Sequence, residues 1–193
     1  MKKVNIEKKT RVFDDFFKID EVHLQHERLD GTMSPTLRIL NFERGDGVAA
    51  IVFNVDTDKI ILTKQFRYPT YTRGQGWIIE VVAGMQEAGV SPEEAIKKEI
   101  LEEVGYEVES LSFMSSFFVS PGGTSEQIHM FYAVVNNASK VSAGGGLDEE
   151  NEDIQIVEYD LDQAIQLAQT GGIVDAKTLY GLLWLENIVM KSL

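Results

Sequence analysis

The stretch from Ala83 to Tyr106 limits what this chain can fold into more than any other. It opens with a glycine-punctuated, turn-prone segment, Ala83-Gly84-Met85-Gln86-Glu87-Ala88-Gly89-Val90. Ser91-Pro92-Glu93-Glu94 follows: a hydroxyl fit to cap a helix, a proline suited to the first helical position, and a glutamate placed to complete a capping box. Ala95, Ile96, Ile100 and Val104 recur at helical spacing, and Gly105 supplies the stop. The spacing predicts a helix over 92–104. Glu99, Glu102 and Glu103 then share one face of it. Glu93–Lys97 and Glu94–Lys98 form pairs of opposite charge, whereas Glu99 and Glu103 are like charges one turn apart and repel by a few tenths of a kcal/mol. A divalent cation would remove that conflict, because hard cations take carboxylate and carbonyl oxygens. Without a cation, the same glutamates read as a solvated acidic face.

The rest of the chain reads as mixed α and β. No internal repeat is present. Residues 1–45 are polar, with β-like patches at Val12–Val22 and Thr36–Phe42 and a turn at Asp30-Gly31. Arg44-Gly45-Asp46-Gly47 reads as a boundary, dividing the chain into a small β domain, 1–45, and a main domain, 46–193. Strands are expected at Gly47–Val55, Lys59–Phe66, Trp77–Val82, Leu111–Val119, Gln127–Val135 and Ile154–Tyr159. Tyr68–Gly76 and Ser120–Glu126 read as loops, and helices are expected at Leu161–Thr170 and Ala176–Met190. Mixed strands with an inserted helix and helices at the end imply an α/β sandwich. Phe16, Phe17, Tyr68 and Tyr71 are of a type that can stack on a base, but core packing is the expectation for them; His23, His26 and His129 lack metal-ligand spacing with one another.

Composition narrows the function classes. A net charge of −13 disfavours binding to a nucleic-acid backbone, which needs clustered Lys and Arg, and means that an anionic substrate has to be received through metal and a few local arginines. The absence of cysteine removes disulfide scaffolds, zinc–thiolate sites and thiol nucleophiles. The basic N-terminal segment has no apolar core of the secretory kind, and no apolar run approaches the ~18 residues of a membrane span. A cytoplasmic protein without a membrane partner is the expectation.

The segment from Gly84 to Gly105 resembles the Nudix box: Gly, five residues, Glu, seven residues, then Arg-Glu-apolar-x-Glu-Glu-x-Gly. The full spacing is kept. Two positions depart from it: Val90 stands where the box has its early glutamate, and Lys98 where it has arginine. Arg44-Gly45, Val82-Ala83-Gly84-Met85, Ser120–Glu126 and Glu150-Asn151-Glu152-Asp153-Ile154 look like the ADP-ribose pyrophosphatase branch of the family. Ala143–Gly146 and Asp175-Ala176-Lys177-Thr178 look closer to the bacterial GDP-mannose hydrolase branch.

The resemblance implies a Nudix α/β/α sandwich with a mixed sheet, plus the small N-terminal β domain. It implies hydrolysis of a nucleoside diphosphate sugar at its pyrophosphate, with ADP-ribose first and GDP-mannose second. The cofactor would be Mg²⁺, with Mn²⁺ as the substitute ion. The metal would be held by Glu99, Glu103 and Glu102, by the Ala83 carbonyl, and by Glu152. A catalytic glutamate on a loop outside the box maps to Glu150, with Glu126 as runner-up. Arg67 matches a substrate-contacting arginine, Arg38 and Arg44 are weaker candidates, and Met85, Gly122 and Gly123 complete the substrate-binding set. A homodimer with exchanged N-terminal domains is also implied. The rivals are a Nudix hydrolase of another pyrophosphate, such as a dinucleoside polyphosphate or coenzyme A, and a non-catalytic nucleotide-sugar sensor.

Overall fold

Val4–Asp14 (β1), Lys18–His26 (β2) and Leu37–Glu43 (β3) form a three-stranded antiparallel sheet in the order β1-β2-β3. The computed structural model describes residues 3–147, 149 and 151–191. Register sets Ile6 beside Leu24 and Leu24 beside Leu37, with Val22 beside Ile39. The Val12–Val22 patch is not one strand. The chain reverses between Asp14 and Lys18, and β1 runs back to Val4 through Lys8-Lys9-Thr10-Arg11. Every residue of β1 is exposed, so no apolar alternation marks it; lysines suit such an edge strand. Asp20, buried in β2, is matched by Arg11 and by Lys9 at 3.0 Å. Hydrogen bonding from Arg11 and then Lys9 lowers its carboxyl to about 2. This sheet and residues 118–127 make up the first compact unit. Within it, the Phe42 N–H donates to the Gly123 carbonyl at 2.8 Å.

The second unit holds a seven-stranded mixed sheet. Its elements are Gly47–Asn54 (β4), Lys59–Phe66 (β5), the short helix Tyr68–Tyr71 (α1), Trp77–Glu80 (β6), Val82–Met85 (β7), Pro92–Val104 (α2), Ser110–Phe118 (β8), Gln127–Val135 (β9), Ile154–Tyr159 (β10), Leu161–Gln169 (α3) and Ala176–Lys191 (α4). The main order is β10-β5-β4-β9-β8, with β6 on β5 and β7 on β4; β4 and β9 run parallel. β4 is buried nearly throughout, and alternation along it builds the layers. Val48, Ala50 and Val52 meet Ala95, Ile96, Ile100 and Val104 of α2 on one face. Ala49 and Ile51 join Ala164 of α3 and Leu182 and Leu185 of α4 in the cluster on the other. The result is an α/β/α sandwich. Burying Ile96 and Ile100 completely contributes roughly 1.5–3 kcal/mol each.

Three expectations change here. Trp77–Val82 is not continuous: the Val81 N–H donates to Thr178 Oγ1 at 2.8 Å, and across that break the chain changes partner from β5 to β4. The loop Tyr68–Gly76 contains the single helical turn α1, with Pro69 in its first turn. Its Tyr68 and Tyr71, like Phe16 and Phe17 in the first unit, are exposed rather than core; Phe16 is 83% and Tyr68 68% accessible. Among the described residues, no helix is long and apolar enough to cross a membrane.

Candidate active site

Helix α2 begins as its sequence dictates. Ser91 Oγ accepts from the Glu94 N–H at 3.2 Å, and Glu94 Oε2 accepts from the Ser91 N–H at 3.2 Å and the Ser91 hydroxyl at 2.8 Å. Such a cap contributes about 1 kcal/mol. Gly105 ends the helix in the left-handed region, φ +79°. Because Glu94 serves the cap, Lys98 pairs instead with Glu87 at 3.1 Å, which corrects the expected Glu94–Lys98 pair. Glu87, and then Glu102, raise the Lys98 ammonium above its usual value. Val90, the other departure from the box, packs against the α2 side of the core.

The apolar face of α2 pulls Glu103 inward with it. Glu103 is only 4% accessible, and its Oε2 is buried without a hydrogen-bond partner, the one such side-chain atom among the described residues. Burial pushes its carboxyl up to about 9, helped by the charges of Glu99 and Glu152 and opposed by Arg67 and by the Ala83 N–H. Glu99 lies over Gly84: a Cβ there would fall 1.8 Å from Glu99 Oε1. So β7 brings its backbone at Ala83 and Gly84 against the two glutamates that were read as repelling neighbours. Glu102 is half-buried, and the half-buried Glu152 accepts from the Leu147 N–H at 3.1 Å through Oε2.

The second unit therefore gathers Ala83, Glu99, Glu103, Glu152 and Arg67, with Met85 at the end of β7. Among the described residues, no three acidic or histidine side chains form a ready-made metal cage. The donor set still fits a hard cation: a partnerless buried carboxylate oxygen, a second carboxylate one turn away, and nearby backbone. Mg²⁺ in particular uses one or two carboxylates and takes its remaining ligands from water and substrate phosphate.

Arg67 is half-committed. Its Nε donates to Glu80 Oε1 at 2.7 Å, and buried Glu80 also meets Lys177 Nζ at 3.4 Å. Lys177 continues to Asp175 at 2.7 Å, and Asp175 Oδ2 accepts from the Thr178 N–H and hydroxyl at the start of α4. The sequence reading missed this chain. Its signal was Glu80 itself, a lone carboxylate in the apolar run Trp77–Val82, where a buried charge demands a cation.

The first unit holds the other sequence candidates. Arg38 is engaged by Glu21, with Nε donating at 2.6 Å. Arg44 lies 3.6 Å from Glu126 and over the ring of Phe17, 5.7 Å from its centroid. Glu126 is buried, and Gly122 and Gly123 sit in an open turn. Glu150 lies outside the described residues.

A model of the NUDIX domain matches residues 43–180. The chain belongs to the Nudix family. Its Nudix relatives include the GDP-mannose pyrophosphatases of Escherichia coli (strain SMS-3-5 / SECEC), 34% identical over 176 residues, and of Shigella flexneri serotype 5b (strain 8401), 34% identical over 175 residues. Each of these alignments spans 90% of this chain and 90% of the relative. A solved structure described as that of an ADP compounds hydrolase superposes with a TM-score of 0.75 over 98% of this chain and 96% of its own length. At 19% identity it shares the Nudix fold.

Proposed function

We propose that this Nudix enzyme hydrolyses the pyrophosphate of a nucleoside diphosphate sugar with the help of Mg²⁺ or Mn²⁺, releasing a nucleoside monophosphate and a sugar phosphate. The observation that carries the reading is Glu103: a buried carboxylate with a partnerless oxygen, faced by Glu99 and Glu152. Such a group is poised to take up a cation. Glu99, Glu103, Glu102, Glu152 and the Ala83 carbonyl would hold it. When bound, such a cation lowers the pKa of water and offsets phosphate charge.

The protein's own groups supply the rest. Arg67 keeps its terminal nitrogens for a phosphate oxygen while Glu80 holds Nε and so orients the fork. Glu150 would take the proton of the attacking water, with Glu126 as runner-up. Glu126 is the weaker candidate because Arg44 already balances it. Arg38, Arg44, Met85, Gly122 and Gly123 remain proposed substrate contacts; Arg38 would first have to leave Glu21.

We also propose the homodimer in which residues 1–45 act as an exchanged β domain. Val4, Ile6, Leu37 and Ile39 are all exposed in the N-terminal sheet, which is unusual apolar content for a surface left in water. Light scattering of the purified chain tests it.

GDP-mannose heads the substrate panel, ahead of ADP-ribose, because relatives named for it align over 90% of the chain. The panel adds UDP-glucose, diadenosine polyphosphates and coenzyme A. Phosphate release through a coupled phosphatase, with and without Mg²⁺, is the assay. No turnover of any member would favour the sensor reading, and turnover of the dinucleoside polyphosphates or coenzyme A alone would move the substrate class.

A further inference from the structure

Gly144, Gly145 and Gly146 have φ values of +68°, +108° and +85°. Three consecutive residues in this region make a path that only glycine follows without strain. The path has a purpose on each side. Toward α2, the Gly145 N–H donates to the Glu103 carbonyl at 2.8 Å and the Gly146 N–H to the Glu102 carbonyl at 3.1 Å, so the run satisfies carbonyls left open at the helix end. The approach is close: a Cβ on Gly144 would stand 2.7 Å from the Glu103 carbonyl oxygen. Toward the acidic segment, the Ile154 N–H donates to the Gly145 carbonyl at 3.3 Å. Leu147 and Glu152 bond twice: the Leu147 N–H to Glu152 Oε2 at 3.1 Å, and the Glu152 N–H to the Leu147 carbonyl at 3.3 Å. A Cβ on Gly146 would come within 2.6 Å of Glu152.

One short run is thus bonded both to the last turn of the helix carrying Glu99, Glu102 and Glu103 and to the segment carrying Glu152. We propose that Gly144–Gly146 is a clasp that sets Glu152 in place against Glu103, making these glycines positioning residues for the hydrolytic site. The inference rests on the metal-dependent reading of that site. A glycine run that only ended the helix would need no bond to the Glu152 side.

Gly145→Ala is the probe, because its Cβ would meet only the Ile154 carbonyl oxygen, at 3.9 Å, and so disturbs φ without a clash. It is studied alone, with Glu152→Gln, and as the double variant. In metal-free protein, amide exchange at positions 145 and 146 accelerates. Mn²⁺ binding, measured by calorimetry without substrate, weakens by about tenfold, the scale of one strained left-handed residue. The Mg²⁺ needed for half activity rises by a similar factor while KM holds. In the Glu152→Gln background, Gly145→Ala then changes Mn²⁺ affinity and the Mg²⁺ requirement little, as coupled residues do. Losses that simply multiply in the double variant would overturn the proposal, as would unchanged Mn²⁺ binding in the single one. If Gly145→Ala does not fold, Gly146→Ala enters the same cycle with the same two outcomes. A wild-type chain that turns over no pyrophosphate sinks the functional reading instead, and the exchange and Mn²⁺ arms still decide the clasp.

Discussion

Glu99 Oε1 occupies the space that a side chain on Gly84 would need, 1.8 Å from where its Cβ would be. Two residues 15 positions apart in the sequence thereby form one surface, with β7 backbone below and a carboxylate above. The glycine that opens the box is explained by contact rather than by turn geometry, since Gly84 pairs with Val48 in a regular ladder.

Gly84→Ala should separate folding from function. The atoms it strikes are Oε1, Cδ and Cγ of the flexible Glu99 side chain rather than backbone, so Glu99 is displaced at a cost of about 1 kcal/mol in rotamer strain. Urea unfolding should show that small loss. Turnover should fall by about 10² or more, because a carboxylate moved by an ångström no longer holds its partner. Near-normal turnover with Glu99 displaced would remove Glu99 from the site.

Glu103 makes the metal-free protein sensitive to pH. Its carboxyl stands at about 9 in the fold against an ordinary 4.5, so the folded chain holds the extra proton between those values. That stabilising contribution is complete below about 4.5 and is lost as pH rises toward 9, with a slope of up to about 1.4 kcal/mol per pH unit. Glu103→Gln should abolish the slope and leave the metal-free protein as stable or more so near pH 8. Denaturation at several pH values in chelator checks it; an unchanged slope in the variant would show that Glu103 is not its source.

Glu80 should matter to stability more than its strand position suggests. Glu80→Gln takes the carboxylate away from Arg67 and leaves Lys177 with Asp175 alone. The loss should be about 2–3 kcal/mol, the low side for a broken buried pair because Arg67 is half open to solvent. Chemical denaturation within about 0.5 kcal/mol of wild type would contradict the bridge; surface changes usually stay in that range.

How legible all this was depended on which residues carried the signal. Helix α2 was readable to the residue, because Ser91, Pro92, Glu94 and Gly105 are local instructions that tertiary packing did not override. β4 was readable from its apolar run. β1 was not, because an exposed strand needs no alternation to mark it. The break at Val81 could not be read locally, since its cause is Thr178, 97 positions away. At the site, the face shared by Glu99 and Glu103 was visible as a conflict of like charges. Glu80 and the glycine clasp act through partners that only folding brings near, and Lys98 chose Glu87 because the cap had already taken Glu94.

Glu150 is the residue proposed to take the proton. Glu150→Gln should lower kcat by about 10²–10⁴ with little change in substrate or Mg²⁺ affinity. Glu152→Gln should raise the Mg²⁺ needed for half activity, and Glu126→Gln should do neither. Steady-state kinetics of the three across a Mg²⁺ titration decides; a kcat loss confined to Glu126→Gln would move the base to the 120–126 loop.

The central claim is that Glu103 holds the ion on which pyrophosphate cleavage depends. The direct measurement is chromatographic separation of the products of GDP-mannose and ADP-ribose at saturating Mg²⁺, for wild type and Glu103→Gln. The account predicts nucleoside monophosphate and sugar phosphate from the wild type with at least one of the two substrates, none in chelator, and a loss of about 10³ or more in the variant, the scale of removing a buried charge-stabilising group from an active site. Near-wild-type turnover by a folded Glu103→Gln variant would contradict it.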